Sequence, residues 1–280
     1  MAAIISLKAQ KHALRKAISA TLKLMPTSVV ADQSQAVMDR VLSLPSFQRC
    51  RSISCYLSMP SGELDTSSLI LEILDRGKTL FVPKIESKDG HMDFLRVYGK
   101  DDLNSLPSGV WGIKEPEPFW QGSKRQNVLD TSCDGLDIIL LPGVAFDQSL
   151  SRLGHGKGYY DRFITSYSST GRPRPLLVAL ALREQVLEDN IVPVAAHDWK
   201  MDLVVTPDGI LGQEASIKQE TKAIQEQLRN TQQCHRGPKM KRTSSSSALR
   251  SEASLSGVPG VGGTQPTSTS AALKGEMTCF

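Results

Sequence analysis

The chain has 280 residues, 40% of them apolar and 22% charged. That balance can bury a sizeable core and excludes a fully disordered protein. No apolar run approaches the roughly 20 residues of a bilayer-spanning helix, so no membrane partner is expected. The net charge is +4, but 236–280 alone carries six Lys/Arg against two acids, leaving 27 of each before it. A neutral remainder speaks against a globular nucleic-acid binder.

Five cysteines (Cys50, Cys55, Cys133, Cys234, Cys279) form no C-x-x-C pair. Their odd number, with no secretory leader, predicts reduced thiols in an intracellular compartment and no structural zinc.

The first element is an amphipathic helix with Leu7, Leu14, Ile18 and Leu22 on one face and Lys8, Lys11, Arg15 and Lys23 on its flanks. A basic start without acids before Asp32 also suits a mitochondrial presequence, but a single Arg in thirty residues favours a cytoplasmic protein. A second helix is expected over 28–44, with Val30, Val37, Val41 and Leu44 inward and Pro45 closing it. The period then changes to a strand at 52–59. A helix capped by Asp65 or Thr66 and stopped at Gly77 follows, then a strand at 79–82. Further strands are expected at 91–97, 136–141, 176–182 and 203–205, with 138–141 and 176–182 apolar throughout, as when both faces are covered. Strands alternating with helices predict an α/β fold: a three-layer, open, mostly parallel, Rossmann-like sheet. The domain is expected to span 1–212. A thin apolar stripe (Ile217, Ala223, Ile224, Leu228) suggests a helical extension over 213–235, and Ser/Gly/Pro-rich 236–280 reads as a disordered basic tail.

The most informative segment is L-L-P-G-V-A-F-D-Q-S-L-S-R-L-G-H-G-K-G-Y-Y-D, 140–161. A buried strand ends at Pro142-Gly143, and a loop follows. Gly154, Gly156 and Gly158 then alternate with His155 and Lys157 before a helix carrying Tyr159, Tyr160, Phe163 and Tyr167. Glycines let backbone N–H groups approach an oxyanion, a helix N-terminus adds positive potential and Lys157 a full charge, so the segment suits a phosphate. Neither the Walker A nor the dinucleotide fingerprint fits, and taken alone a tight turn with a solvated lysine is the ordinary reading.

The string R-L-G-H-G-K-G-Y-Y-D resembles the signature of the 5-formyltetrahydrofolate cyclo-ligases, also called 5,10-methenyltetrahydrofolate synthetases. So do K-H-A-L-R at 11–15, Y-L-S-M-P-S-G-E-L-D-T at 56–66 and H-D-W-K-M-D at 197–202, in order over about 200 residues. Where some members carry a second Arg in the glycine loop, this chain has His155.

The resemblance implies a fold of the NagB/RpiA/CoA-transferase-like kind and an ATP- and Mg²⁺-dependent ligase of folate one-carbon metabolism. It implies ATP binding by Lys11, His12, Ala13, Leu14, Arg15, Arg152, Leu153, Gly154, His155, Gly156, Lys157, Gly158, Tyr159 and Tyr160, with Lys157 and Arg152 catalytic. The 5-formyltetrahydrofolate, polyglutamylated or not, would meet Arg15, Leu57, Glu63, His155, Gly156, Lys157, Gly158 and Tyr159, and Asp161 and Asp198 would hold Mg²⁺. A monomer is expected. Two other classes stay open: a non-catalytic nucleotide-binding or RNA-associated module of this fold, and a sugar-phosphate isomerase or acyl-transferase relative, since fold does not fix chemistry.

Overall fold

The computed structural model describes residues 6–86, 90–109 and 112–213, which fall within one compact unit. The expected extension and tail lie, apart from Gln213, outside the described residues. In chain order the elements are α1 (Leu7–Lys23), α2 (Thr27–Ser43), α3 (Pro45–Arg49), β1 (Ser52–Ser54), α4 (Ser67–Asp75), β2 (Thr79–Ile85), β3 (Met92–Val97) and α5 (Lys100–Ser105). There follow β4 (Phe119–Trp120), β5 (Ser123–Lys124), β6 (Ile138–Leu141), β7 (Ala145–Asp147), β8 (Arg152–Leu153), α6 (Tyr159–Ser168), β9 (Leu176–Leu180), β10 (Val186–Leu187), β11 (Leu203–Val205) and β12 (Ile210–Gly212).

Seven strands form one sheet in the order β12-β11-β9-β6-β1-β2-β3. The inner five are mutually parallel, while β12 and β3 pair antiparallel at the two edges. Alternation along the strands builds the layers. Ile138, Leu140, Val178 and Leu180 join one core with Ile18, Leu22, Val37, Val41 and Ile73 of α1, α2 and α4. Ile139, Leu141, Leu177 and Ala179 join the other with Phe163, Ile164 and Tyr167 of α6. Every residue of β6 and β9 is therefore buried, and the mostly parallel three-layer sheet is the one expected.

The helices form for local reasons. The Ser6 hydroxyl caps α1 by accepting from Ala9 N at 3.3 Å. Leu7, expected on the inward face, is 39% exposed; the first fully buried position of α1 is Ile18, so the opening turn runs ahead of the core. In α2, Gln33 and Ser34 are buried but satisfied: Ser34 Oγ donates to Val30 O at 2.7 Å, and Gln33 Oε1 accepts from Arg183 N at 2.8 Å. At α4, Asp65 Oδ1 accepts from Ser67 N at 2.9 Å.

Two expectations need correction. The strand over 52–59 ends at Ser54: Cys55 N still donates to Phe81 O at 3.0 Å, after which the chain leaves the sheet. Its partner β2 runs on to Ile85, three residues past the expected end, because β3 pairs with it throughout; Pro83 falls where β1 no longer pairs. The stretch read as a plain loop after Gly143 instead forms β7 and β8, which with β10 make a small sheet. Buried Asp147 organises that turn, Oδ1 accepting from Ser149 Oγ at 2.8 Å and Ser151 N at 3.0 Å, and Oδ2 from Val192 N at 3.0 Å.

Beside the β3 edge, Arg125 and Asp102 form a buried bidentate pair, 2% and 1% exposed. Arg125 also donates to Glu117 O at 2.8 Å and Arg96 O at 3.0 Å, while Asp102 accepts from Tyr98 N at 2.9 Å. This fastens the β4–β5 segment to the sheet. Asp102→Ala should leave an uncompensated buried guanidinium and cost about 3–5 kcal/mol in urea unfolding; a loss below about 1 kcal/mol would show that the pair is not a fastening.

Candidate active site

In an open α/β sheet, ligands bind beyond the carboxyl ends of the strands. Here a cavity of about 330 Å³ opens where the chain leaves β1 and β6. One wall carries Tyr56, Leu57, Met59 and Glu63; a second carries Pro83, Ile85 and Met92; the third is the glycine loop, Gly154 to Asp161. Ile113 and Glu115 complete the lining.

Backbone conformation explains the glycines. Gly156 (φ +102°) and Gly158 (φ +68°) lie in the left-handed region, Gly158 as the N-cap of α6. Arg15 crosses from α1, its Nε donating to Gly154 O at 2.7 Å, and a Cβ on Gly156 would lie 3.3 Å from Arg15 Cζ. Burial lowers the pKa of the Arg15 guanidinium, against the opposing charge of Asp198.

Two cations of the site, Arg152 and Lys11, are already paired. Arg152, 7% exposed, donates Nη1 to Pro142 O at 3.1 Å and Nη2 to Asp161 Oδ2 at 2.8 Å, with Cζ 5.6 Å from the Tyr160 ring centroid. Among the described residues its buried Nε has no hydrogen-bond partner. Asp161 Oδ1 accepts from Trp199 N at 3.1 Å. Lys11 pairs with Asp198 Oδ2, which also accepts from Ala195 N at 2.6 Å. Burial alone would raise the Asp198 carboxyl, but hydrogen bonds from Lys11 and Ala195 and the nearby charges hold it below the ordinary range. Glu63, buried, accepts from Met59 N at 3.0 Å, and its other oxygen lies 3.8 Å from His155 Nε2. Burial, then the charge of Glu63, pushes the Tyr56 and Tyr160 hydroxyls well above the ordinary tyrosine range.

The fold thus gathers Leu57, Glu63, Arg152, Gly154, His155, Lys157, Gly158, Tyr159, Tyr160 and Asp161 around one cavity. Arg15 lies against Gly156, and the Lys11–Asp198 pair stands beside Arg15. His12 and Ala13 are exposed on α1 and do not line the cavity, Leu14 packs on the core, and Leu153 is buried in β8 with only its backbone to offer. Tyr160 touches both core clusters as well as the cavity. Sequence reasoning missed Pro83, Ile85, Met92, Ile113 and Glu115, which carry no motif; Tyr56 stood in one but was given no role.

Among the described residues no three His, Cys, Asp or Glu side chains converge as a metal site, and no helix is long and apolar enough to cross a membrane.

The pattern of the 5-formyltetrahydrofolate cyclo-ligase family matches residues 7–207. The mitochondrial 5-formyltetrahydrofolate cyclo-ligase of Arabidopsis thaliana is 37% identical over 215 residues, covering 72% of this chain and 76% of that protein. The mouse (Mus musculus) 5-formyltetrahydrofolate cyclo-ligase is 32% identical, covering 74% and 98%. The NMR structure of Aquifex aeolicus 5,10-methenyltetrahydrofolate synthetase superposes with a TM-score of 0.58 at 31% identity, covering 73% and 93%. With its ordered motifs, its parallel sheet and its glycine-loop cavity, the chain belongs to the 5-formyltetrahydrofolate cyclo-ligase family of enzymes.

Proposed function

We propose that the protein converts 5-formyltetrahydrofolate to 5,10-methenyltetrahydrofolate at the expense of ATP, releasing ADP and phosphate. The observation that carries this reading is one cavity with two kinds of wall. Leu57, Met59, Pro83, Ile85 and Met92 are apolar around the Glu63 carboxylate, whereas the opposite loop presents Lys157 beside Arg152 and Arg15. A flat heterocycle with N–H donors suits the first wall and a polyphosphate the second.

The chemistry requires both. The N5 formyl group is amide-like, and N10 cannot close the ring while its oxygen would have to leave as oxide or hydroxide. Attack of the formyl oxygen on the γ-phosphorus expels ADP and turns that oxygen into part of a phosphate ester. N10 then adds to the formyl carbon, its N–H proton passes to the departing phosphate, and the C–O bond breaks with its electron pair leaving on that phosphate. No protein nucleophile is needed; positioning and cations suffice. Glu63 would accept from the pterin N–H groups, Lys157 would neutralise the transferring phosphoryl group, and Arg152, Arg15 and Lys11 would hold the remaining phosphate oxygens.

The donor set suits a magnesium ion that arrives on the nucleotide, because Mg²⁺ is usually held by one or two carboxylates with phosphates and waters. Asp198 Oδ1 lies 3.7 Å from His197 Nε2, beyond hydrogen-bonding distance, and would be a ligand; Asp161 would be the second once Arg152 turns to phosphate. Bound there, the ion would screen the charge of the β- and γ-phosphates.

The direct test is the appearance of methenyl absorbance from 5-formyltetrahydrofolate, with and without ATP and Mg²⁺. Formation without ATP, or none with it, would refute the reading. Lys157→Met, at an exposed position, should leave the melting temperature unchanged and lower kcat by roughly 10²–10³; a folded variant with unchanged kcat and KM would remove Lys157 from the chemistry. Asp198→Asn and Asp161→Asn should both raise the Mg²⁺ concentration giving half-maximal rate, and Asp161→Asn should also lower the melting temperature, because it weakens the partner of buried Arg152. Metal titrations superimposing on wild type would show that neither carboxylate binds the ion.

A further inference from the structure

The geometry points to Arg162 as a positioning residue that locks the phosphate loop to the opposite wall of the cavity, holding the nucleotide and folate halves in register. This rests on the function proposed above and adds a residue to which that function gives no role.

Arg162 stands in the first turn of α6, exposed. Its Nη2 donates to the carbonyl oxygen of Lys157, and its Nε donates to Gly90 O at 3.3 Å. The two acceptors belong to different walls. Lys157 O is in the glycine loop. Gly90 is in the connection between β2 and β3, where Glu86 N donates to His91 O at 3.1 Å, and Ile85 and Met92 on either side of that connection line the cavity. One guanidinium therefore spans the two.

The residues around it are shaped to admit it. Gly90 has φ +96°, and a Cβ there would stand 1.7 Å from Arg162 Nη2, so any other residue would displace the guanidinium. Both acceptors are backbone carbonyls, met from two different nitrogens of one planar fork, whereas a lysine would have to reach both from the single nitrogen at the end of its stem. Fixing the Lys157 peptide fixes the root of the side chain that meets the transferring phosphoryl group, while fixing Gly90 holds the apolar wall against which the heterocycle would lie. The clamp makes the position of each half depend on the other, which is an energetic coupling between two ligands.

The experiment measures that coupling. Calorimetry gives the Kd of 5-formyltetrahydrofolate with and without saturating Mg²⁺ and the imido analogue of ATP, for wild type, Arg162→Ala, Arg162→Lys and Gly90→Ala; turnover is measured in parallel. Wild type should bind the folate at least about 5-fold more tightly in the presence of the nucleotide. In all three variants that factor should fall towards one and kcat should drop about tenfold, while the Kd of each ligand alone changes less than threefold. Coupling that persists in folded Arg162→Ala, or a wild type that shows none, overturns the clamp. Full rescue by Arg162→Lys overturns it too, because charge rather than the fork would then matter. A wild type that turns over but keeps its coupling in Arg162→Ala loses only this inference; a wild type that yields no methenyl product loses the proposed function itself.

Discussion

The buried guanidinium of Arg152 is the interaction on which the architecture of the site depends. It reaches back to the carbonyl of Pro142 at the end of β6, forward to Asp161 in the first turn of α6, and lies over the Tyr160 ring. A charge at 7% exposure is costly unless its donors are met, so strand end, glycine loop and helix start must arrive together. Asp161 in turn accepts from Trp199 N, drawing in the segment that carries Asp198. The stability of the cradle and the placing of its cations are thus one requirement.

The same economy governs the charges that face the cavity. Lys11 with Asp198, Arg152 with Asp161 and His155 near Glu63 each set a basic group beside an acid. Under the proposed function an incoming phosphate competes with carboxylates already in position, and the freed carboxylates become available to the metal. Binding then exchanges partners instead of stripping water from bare cations, so the site is ordered before its ligand arrives.

Much of the fold was legible because its signals are strong and local. The all-apolar runs at β6 and β9 declared a sheet covered on both faces, and the periodicity of α2 placed Val37 and Val41 inward. The alternation in 52–59 outlasted β1, because side-chain period cannot say when a neighbouring strand stops pairing. Strands of two or three residues, such as β7, β8 and β10, are too short for any period and are built by Asp147, whose partners lie as far off as Val192. In the site, ten of the residues that motifs singled out line one cavity, but the apolar wall of Pro83, Ile85 and Met92 was invisible. Those residues are ordinary sheet and hairpin positions, and only the antiparallel pairing of β2 with β3 brings them there.

The pairings that close the site are also among the longest in the chain. Lys11 and Asp198 are 187 residues apart, and Arg15 and Gly154 are 139 apart. As the polypeptide emerges during synthesis, α1 is made well before the carboxylate that neutralises Lys11, which follows 187 residues later. Throughout that interval the basic flank of α1 must wait without its counter-ion, and no shorter nascent chain owns a complete cradle. Under the proposed function, recognition of an anion is therefore a property the molecule acquires late and all at once, and non-local closure of this kind sets a slow tempo for folding.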